Sequence, residues 1–316
     1  KIKLLNAAWA IQPERLRNIQ EFLIEGSAGA LIEGPADPYT IDKGVAVVPI
    51  YGVLTKRASV LQRIFGGTAM NDTADLLKKL AAAQNVSAIV LNVDSPGGTV
   101  DGTLELADIV KAIGKPVVAY ANGIMASAAY WIGSAADWIV CGNTSDVGSI
   151  GVVQTHYDTS EADKKKGLKR SFVYAGKYKT VGNSAAPLDK GSKAYIQNGV
   201  DYVYSLFVDA VARGRGLRKE AVIATEGRLY IGQLAKAQGL VDQMGGLDDA
   251  GLQARKMVVG KAHGVTTQKV KPTAPQTFVD AYKTLQAETH CSLEDAMKMA
   301  VNKYPALHRA YLEGRA

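Results

Sequence analysis

Ser127 is the side chain of this 316-residue chain best suited by its surroundings to act as a nucleophile. It lies in Asn122-Gly-Ile-Met-Ala-Ser-Ala-Ala129, a run of small residues that follows a predicted strand and opens a predicted helix. A hydroxyl there would sit near the positive end of a helix dipole, and neighbouring backbone N–H groups could hold a developing oxyanion. Ile124, Ala126 and Ala129 would line a small, apolar cleft. The same residues also suit an Ala-rich helix that merely packs tightly. Asp94-Ser-Pro-Gly-Gly98 is the second element of interest. Gly97 and Gly98 let a backbone approach closely and turn its N–H groups inward, although a plain strand-to-helix turn has the same composition.

A serine at its free pKa is a weak nucleophile and needs a base. The four histidines are His156, His263, His290 and His308, and three of them fall in a predicted linker or tail. A Ser–His–Asp triad is therefore disfavoured, and no two histidines have the spacing of a zinc site. Lysine is the substitute base, provided that an apolar, water-poor cleft keeps its amine neutral. Lys177 and Lys179 both follow a predicted strand in Tyr174-Ala-Gly-Lys-Tyr-Lys-Thr-Val-Gly-Asn183. Most lysines are surface charges, and the residue pattern does not choose between these two.

Other chemistries find little support. The first core strand lacks a Gly-x-Gly-x-x-Gly, and there is no Walker A sequence. Cys141 and Cys291 are too few and too far apart for a disulfide framework or a metal site. The formal charge is +7, with basic clusters at 164–170 and 213–219, which read as solvated faces. Aromatic residues do not interleave with them as a nucleic-acid platform requires. No cofactor, metal or nucleic acid is expected.

The elements that must position Ser127 follow from hydrophobic patterning. Apolar residues make up 47% of the chain, enough for a substantial core. Buried strands are expected at 45–50, 88–93, 116–121 and 138–141, with helices at 72–83 and 101–113 between them. Asn122-Gly123 should break the third strand, leaving 124–135 helix-compatible. Residues 160–168 read as a helix, 170–174 as a strand and 192–213 as a long amphipathic helix. Further helices are expected at 217–223, 230–238 and 246–257. This alternation is the rhythm of an α/β fold with a parallel sheet. Residues 1–43 read as an N-terminal helix (13–23, with Trp9 just before it) and a linker. Residues 44–258 form the core, 259–276 a second linker and 277–316 a helical tail. No stretch is long enough to span a bilayer, so a cytoplasmic location is expected.

Four segments, in order, resemble the S49 serine peptidases, a family that includes signal peptide peptidase A and phage capsid-maturation proteases. They are Asp94-Ser-Pro-Gly-Gly98, Asn122-Gly-Ile-Met-Ala-Ser-Ala-Ala-Tyr-Trp131, Val147-Gly-Ser-Ile-Gly-Val152, and Gly176-Lys-Tyr-Lys179 followed by Gly182-Asn183. The resemblance covers about residues 44–255. It implies Ser127 as nucleophile, Lys179 rather than Lys177 as general base, and Ser149 as the serine that orients the lysine amine. It also implies that the N–H of Gly98 helps form the oxyanion hole, with Ala128 as the second donor. By resemblance the fold should be ClpP/crotonase-like, with repeated ββα units and helical extensions at both ends. Gly182-Asn183 is closer to the phage members, which tend to continue with proline where this chain has Ser184. The expectation is thus a Ser–Lys endopeptidase of phage or prophage head maturation, acting in the bacterial host cytoplasm or inside a prohead. Its partners would be protein or peptide substrates, capsid, portal or scaffold proteins, and further copies in a homo-oligomeric ring. A membrane-associated signal peptide peptidase, a non-catalytic capsid-assembly scaffold and a crotonase-type thioester enzyme are the alternatives.

Overall fold

In the computed structural model, residues 8–25, 38–58, 67–262, 281–283, 285–286 and 292–312 are described. The centre is a sheet of four parallel strands: β3 (Val45–Tyr51), β6 (Ala88–Ser95), β8 (Val117–Ala126) and β10 (Asp146–Gly148). Antiparallel edges close it, β2 (Thr40–Asp42) beside β3 and β12 (Leu229–Ile231) beside β10. The order across the sheet is β12-β10-β8-β6-β3-β2. β9 (Trp138–Cys141) also pairs with β8, and β13 (Gln243–Met244) with β9.

Side-chain alternation explains why this sheet is buried on both faces. Val48, Ile50, Ile89, Leu91, Val117 and Ala119 point to one side. There they meet α2 (Met70–Ala82), α3 (Thr103–Ala112) and α4 (Ala128–Ser134). Val45, Ala88, Val90, Val118 and Val140 point to the other, where Ala250, Ala254 and Met257 of α9 (Leu247–Ala262) cover them. Strands buried on both faces read as continuous apolar runs, which is why they were visible in the sequence.

A second, five-stranded sheet has the order β11-β1-β7-β4-β5. Its strands are short and come from distant parts of the chain: β1 (Ala8–Ile11), β4 (Val53–Thr55), β5 (Gly67–Ala69), β7 (Gly97–Thr99) and β11 (Val153–Gln154). β1 leads directly into α1 (Pro13–Glu25). The remaining helices are α5 (Ser160–Lys165), α6 (Lys190–Arg215), α7 (Lys219–Ile223), α8 (Gln233–Ala237), α10 (Leu293–Lys303) and α11 (Pro305–Leu312).

The α/β class holds, but the expected ClpP/crotonase-like repeat of ββα units does not. Four strands lie between α1 and α2, two between α2 and α3 and one between α3 and α4, and those strands divide between two sheets, so no ββα repeat is discernible. The physical reason is the second sheet, whose pairings join residues far apart in sequence. Smaller differences have local causes. Asn122-Gly123 does not end β8. The strand continues to Ala126 through an irregularity, with Gly123 at φ 96°, and changes neighbour from β9 to β10. Residues 170–174 are not a strand and lie exposed on the surface. α9 runs on to Ala262, past the expected linker start, and the rest of that linker lies outside the described residues.

Candidate functional site

β8 and β10 run in parallel with Ala126 opposite Gly148, so the next residues, Ser127 and Ser149, leave the sheet side by side at its C-terminal edge. That edge is where open α/β sheets form their ligand crevices. Both serines have left-handed backbones, φ 55° and 53°, which L-residues with a Cβ rarely adopt. Each is held in that conformation by its N–H. Ser127 donates to the carbonyl of Gly148 at 2.8 Å, and Ser149 to the carbonyl of Arg228 at 2.8 Å. Ser127 then caps α4, its carbonyl accepting from the N–H of Trp131 at 2.8 Å. Its Oγ donates to the carbonyl of Gly151 at 3.5 Å. Ser127 is 1% exposed and Ser149 8%.

α4 is fixed by its own packing. All seven of its residues are buried. Trp131 stacks on Phe207 of α6 with ring centroids 4.5 Å apart. Tyr130 donates its hydroxyl to the carbonyl of Leu240 at 2.9 Å, and its burial pushes the phenol's pKa upward. The first N–H groups of a helix have no partner within it, and Ala128 and Ala129 supply two of these. Both are fully buried, as is Ala126, whereas Ile124 is half-buried.

Gly97 and Gly98 lie in β7, close to this point. A Cβ on Gly97 would meet the carbonyl of Ala126 at 3.0 Å and, closer still, the carbonyl of Ala10. A Cβ on Gly98 would collide with the backbone of Leu54. The two glycines therefore admit close backbone neighbours, as their sequence suggested, and in this structure those neighbours are β1 and β4. Gly98 stands opposite Ala10 on one side and Leu54 on the other.

From Gly167 to Lys179 every residue is exposed. No hydrogen bond among the described residues joins Lys179 or Lys177 to Ser127, and Lys177 Nζ stands 5.2 Å from the ring centre of Tyr178. The register of β8 and β10 and the packing of Gly97 against Ala126 bring Ser127, Ser149, Ala128, Gly97 and Gly98 together. His156 Nε2 donates to the carbonyl of Ala186 at 3.2 Å, not to a serine.

Sequence reasoning did not single out Asp94 as a structural anchor. Its Oδ1 accepts from the N–H of Ile124 at 3.3 Å and packs against Gly123, which fixes the irregular part of β8 just before Ser127. Burial raises the pKa of its carboxyl, and the Ile124 N–H opposes that rise. The carbonyls of Gly148 and Gly151 were also missed. Both glycines lie in the Val147–Val152 segment, so the signal was present but was read only through Ser149. Among the described residues no cluster of metal-ligating side chains occurs, and no helix is long and apolar enough to cross a membrane.

Comparison with known proteins gives the context. The profile of Peptidase family S49 matches residues 109–287, more than half of the chain, and that of Clp protease matches residues 43–139. Capsid assembly protease C of Escherichia phage lambda is 34% identical over 222 residues, 69% of this chain and 51% of that protein. A putative protease of Methanocaldococcus jannaschii is 38% identical over 179 residues, 56% of this chain and 58% of the relative. Protease 4 of Haemophilus influenzae is 30% identical over 248 residues, 76% of this chain and 37% of that enzyme. The chain thus spans about half the length, or less, of these curated relatives. A solved ClpP1 mutant from Listeria monocytogenes aligns at a TM-score of 0.43 and 17% identity, over 65% of this chain and 93% of the other.

Proposed function

The chain belongs to peptidase family S49, and from that premise we propose that it is a serine endopeptidase with Ser127 as nucleophile and Lys179 as general base. The observation that carries the reading is the backbone of Ser127. A non-glycine residue is held at φ 55° between a parallel strand and a buried helix. Such a conformation costs on the order of 1–3 kcal/mol, persists only where the surroundings enforce it, and is concentrated at active sites.

In the proposed mechanism the neutral amine of Lys179 takes the proton of Ser127 Oγ as that oxygen attacks a peptide carbonyl. The N–H groups of Gly98 and Ala128 hold the tetrahedral oxyanion. The ammonium of Lys179 protonates the departing amine, and the amine then deprotonates the water that hydrolyses the acyl-enzyme. Ser149 orients the lysine amine. Gly97, Ile124, Ala126 and Ala129 shape the substrate cleft. The step uses no metal or cofactor. The test is hydrolysis of an unfolded protein: Ser127→Ala and Lys179→Ala abolish it, whereas Lys177→Ala does not. Full activity in Ser127→Ala would sink the assignment.

Lys179 must reach a Ser127, and we assign that encounter to two copies of the chain within a homo-oligomeric ring. The support is the surface around the lysine. Phe172, Val173, Tyr174, Tyr178 and Tyr195 are all about half exposed or more, an apolar patch that one copy leaves uncovered. Ser127→Ala and Lys179→Ala chains, each inactive, should regain activity when co-assembled. Absence of recovery in verified mixed oligomers would refute the arrangement.

Similarity to the lambda capsid assembly protease, and to a head-tail preconnector protein of an Enterobacteria phage at 30% identity over 75% of this chain, favours phage or prophage head maturation. Capsid, portal or scaffold proteins are the proposed substrates and partners, met in the host cytoplasm or a prohead. Likeness to Protease 4 favours a second reading, a bacterial peptidase of the signal-peptide-degrading type. Within either reading, residues 44–258 are the proposed peptidase domain, with 1–43 and 259–316 as its proposed extensions.

A further inference from the structure

β1 lies in a gap one strand wide. On one side it pairs antiparallel with β7, Ala10 opposite Gly98 and Ile11 opposite Gly97. On the other it pairs antiparallel with β11, Ala8 opposite Gln154 and Trp9 opposite Val153. Strands in a sheet are about 4.8 Å apart, so β7 and β11 face each other across roughly 10 Å, the width that seats one extended chain.

Both walls of this gap touch the surroundings of Ser127. The carbonyls of Ala10 and Ala126 converge on the space beside Gly97 where a Cβ would stand. On the opposite wall, Val153 lies two residues beyond Gly151, whose carbonyl accepts the Ser127 hydroxyl at 3.5 Å. Ser127 and β1 are buried together: Ser127 is 1% exposed, Trp9 and Ala10 0%. At 1% exposure Ser127 is closed to an extended chain, and a nucleophile for protein substrates must be reached by one.

We propose that the slot between β7 and β11 seats the main chain of the peptide to be cut, and that residues 8–11 fill it in cis and must leave before another chain can enter. The proposal rests on the reading of Ser127 as the nucleophile. Pairing of this kind is made by backbone groups, so an extended segment of another protein can form the same bonds. α1 retains the occupant. Leu16 and Ile19 are buried, and Gln20 accepts a hydrogen bond from the Tyr157 hydroxyl at 2.8 Å, three residues beyond Gln154. A tethered strand competes at an effective concentration in the millimolar range, so the slot opens chiefly to substrates that are locally concentrated.

The experiment locks the occupant in place. Ala8 and Gln154 face each other across an antiparallel pair, where Cα separations of about 4.5–5.5 Å suit a disulfide. In the full chain carrying Ala8→Cys and Gln154→Cys, the oxidised protein should cleave unfolded casein at least tenfold more slowly than the same protein after reduction. Equal rates, with the cross-link verified by mass, would overturn the proposal. Hydrolysis that persists in Ser127→Ala would instead overturn the nucleophile assignment beneath it. A second measurement needs no cross-link. Saturating casein should speed hydrogen exchange of the residue 9–11 amides in the Ser127→Ala chain at least tenfold. Protection unchanged by bound casein would also overturn the proposal.

Discussion

Ser127 and Ser149 leave neighbouring parallel strands at the same level, and both do so with left-handed backbones stabilised by N–H groups that donate to the carbonyls of Gly148 and Arg228. Two such residues side by side are a costly local choice. One is the proposed nucleophile, and the other the proposed positioning residue for its base.

The backbone and the hydroxyl of Ser149 can be separated. Glycine accepts φ 53° without strain, so Ser149→Gly should be more stable than Ser149→Ala by about 1 kcal/mol. Both variants should lose part of the roughly 10²–10⁴-fold rate that a well-placed general base contributes. Denaturant titrations and casein hydrolysis on the same samples check the two effects.

Lys179→Arg keeps the positive charge and the length of the side chain but cannot give a neutral base, because a guanidinium stays protonated. Peptidase activity should fall about as far as in Lys179→Ala. Lys177→Arg should leave it within about twofold, since the exposed Lys177 side chain meets only Tyr178.

Gly98→Ala should be among the most damaging single substitutions, because its Cβ would overlap the backbone of Leu54 and push β4 from β7. Gly97→Ala should act mainly on β1, since its Cβ meets the Ala10 carbonyl and its φ of 102° disfavours a side chain. Hydrogen exchange should show deprotection centred on β4 in the first variant and on β1 in the second.

The Arg215–Asp242 pair is bidentate, at 2.8 and 2.7 Å, and the Arg215 side chain is 2% exposed. Asp242 also accepts the N–H of Ile139 at 2.8 Å. Arg215→Leu leaves a buried carboxylate without its partner and should cost about 3–5 kcal/mol in unfolding free energy. Chemical denaturation measures it.

Burial, aided by the nearby Asp146 charge, pushes the Cys141 thiol up to about 12. The folded state therefore keeps a proton that the unfolded chain releases near its ordinary pKa of about 8.5. Stability from this group is intact below that value and falls as pH rises towards 12, because the unfolded state binds fewer protons. Cys141→Ala should flatten the alkaline fall in melting temperature, and thiol reagents at pH 8 should modify Cys141 only on unfolding.

The parts legible in the sequence were those whose pattern is local. β3, β6, the first half of β8, and β9 announce themselves as apolar β-branched runs, and α2 and α3 as periodic faces between them. The second sheet did not. Gly97–Thr99 and Gly67–Ala69 hold one strand-forming side chain each, a threonine, and become strands only through their partners. Ala8–Ile11 is a wholly apolar run of only four residues, and its two neighbours lie about 90 and 145 positions away. Conversely, the Phe172-Val173-Tyr174 run looks like a strand but has nothing to pair with in one copy. At the site, Ser127 was legible because strand end, small residues and helix start coincide. Its left-handed backbone was not, since that is held by the carbonyl of Gly148 on the neighbouring strand.

The 26-residue helix α6 is gripped at one end only. None of its residues before Phe207 is fully buried, and Val203, Tyr204 and Leu206 are the first to rest against the core, which leaves roughly 20 Å of helix ahead of them. Its root presses on α4 through Phe207 against Trp131 and through Gly214, whose missing side chain leaves space for the carbonyl of Ser134. It is in effect a cantilever. Force applied to the free half by a neighbouring copy is delivered at the root, against the helix that Ser127 caps.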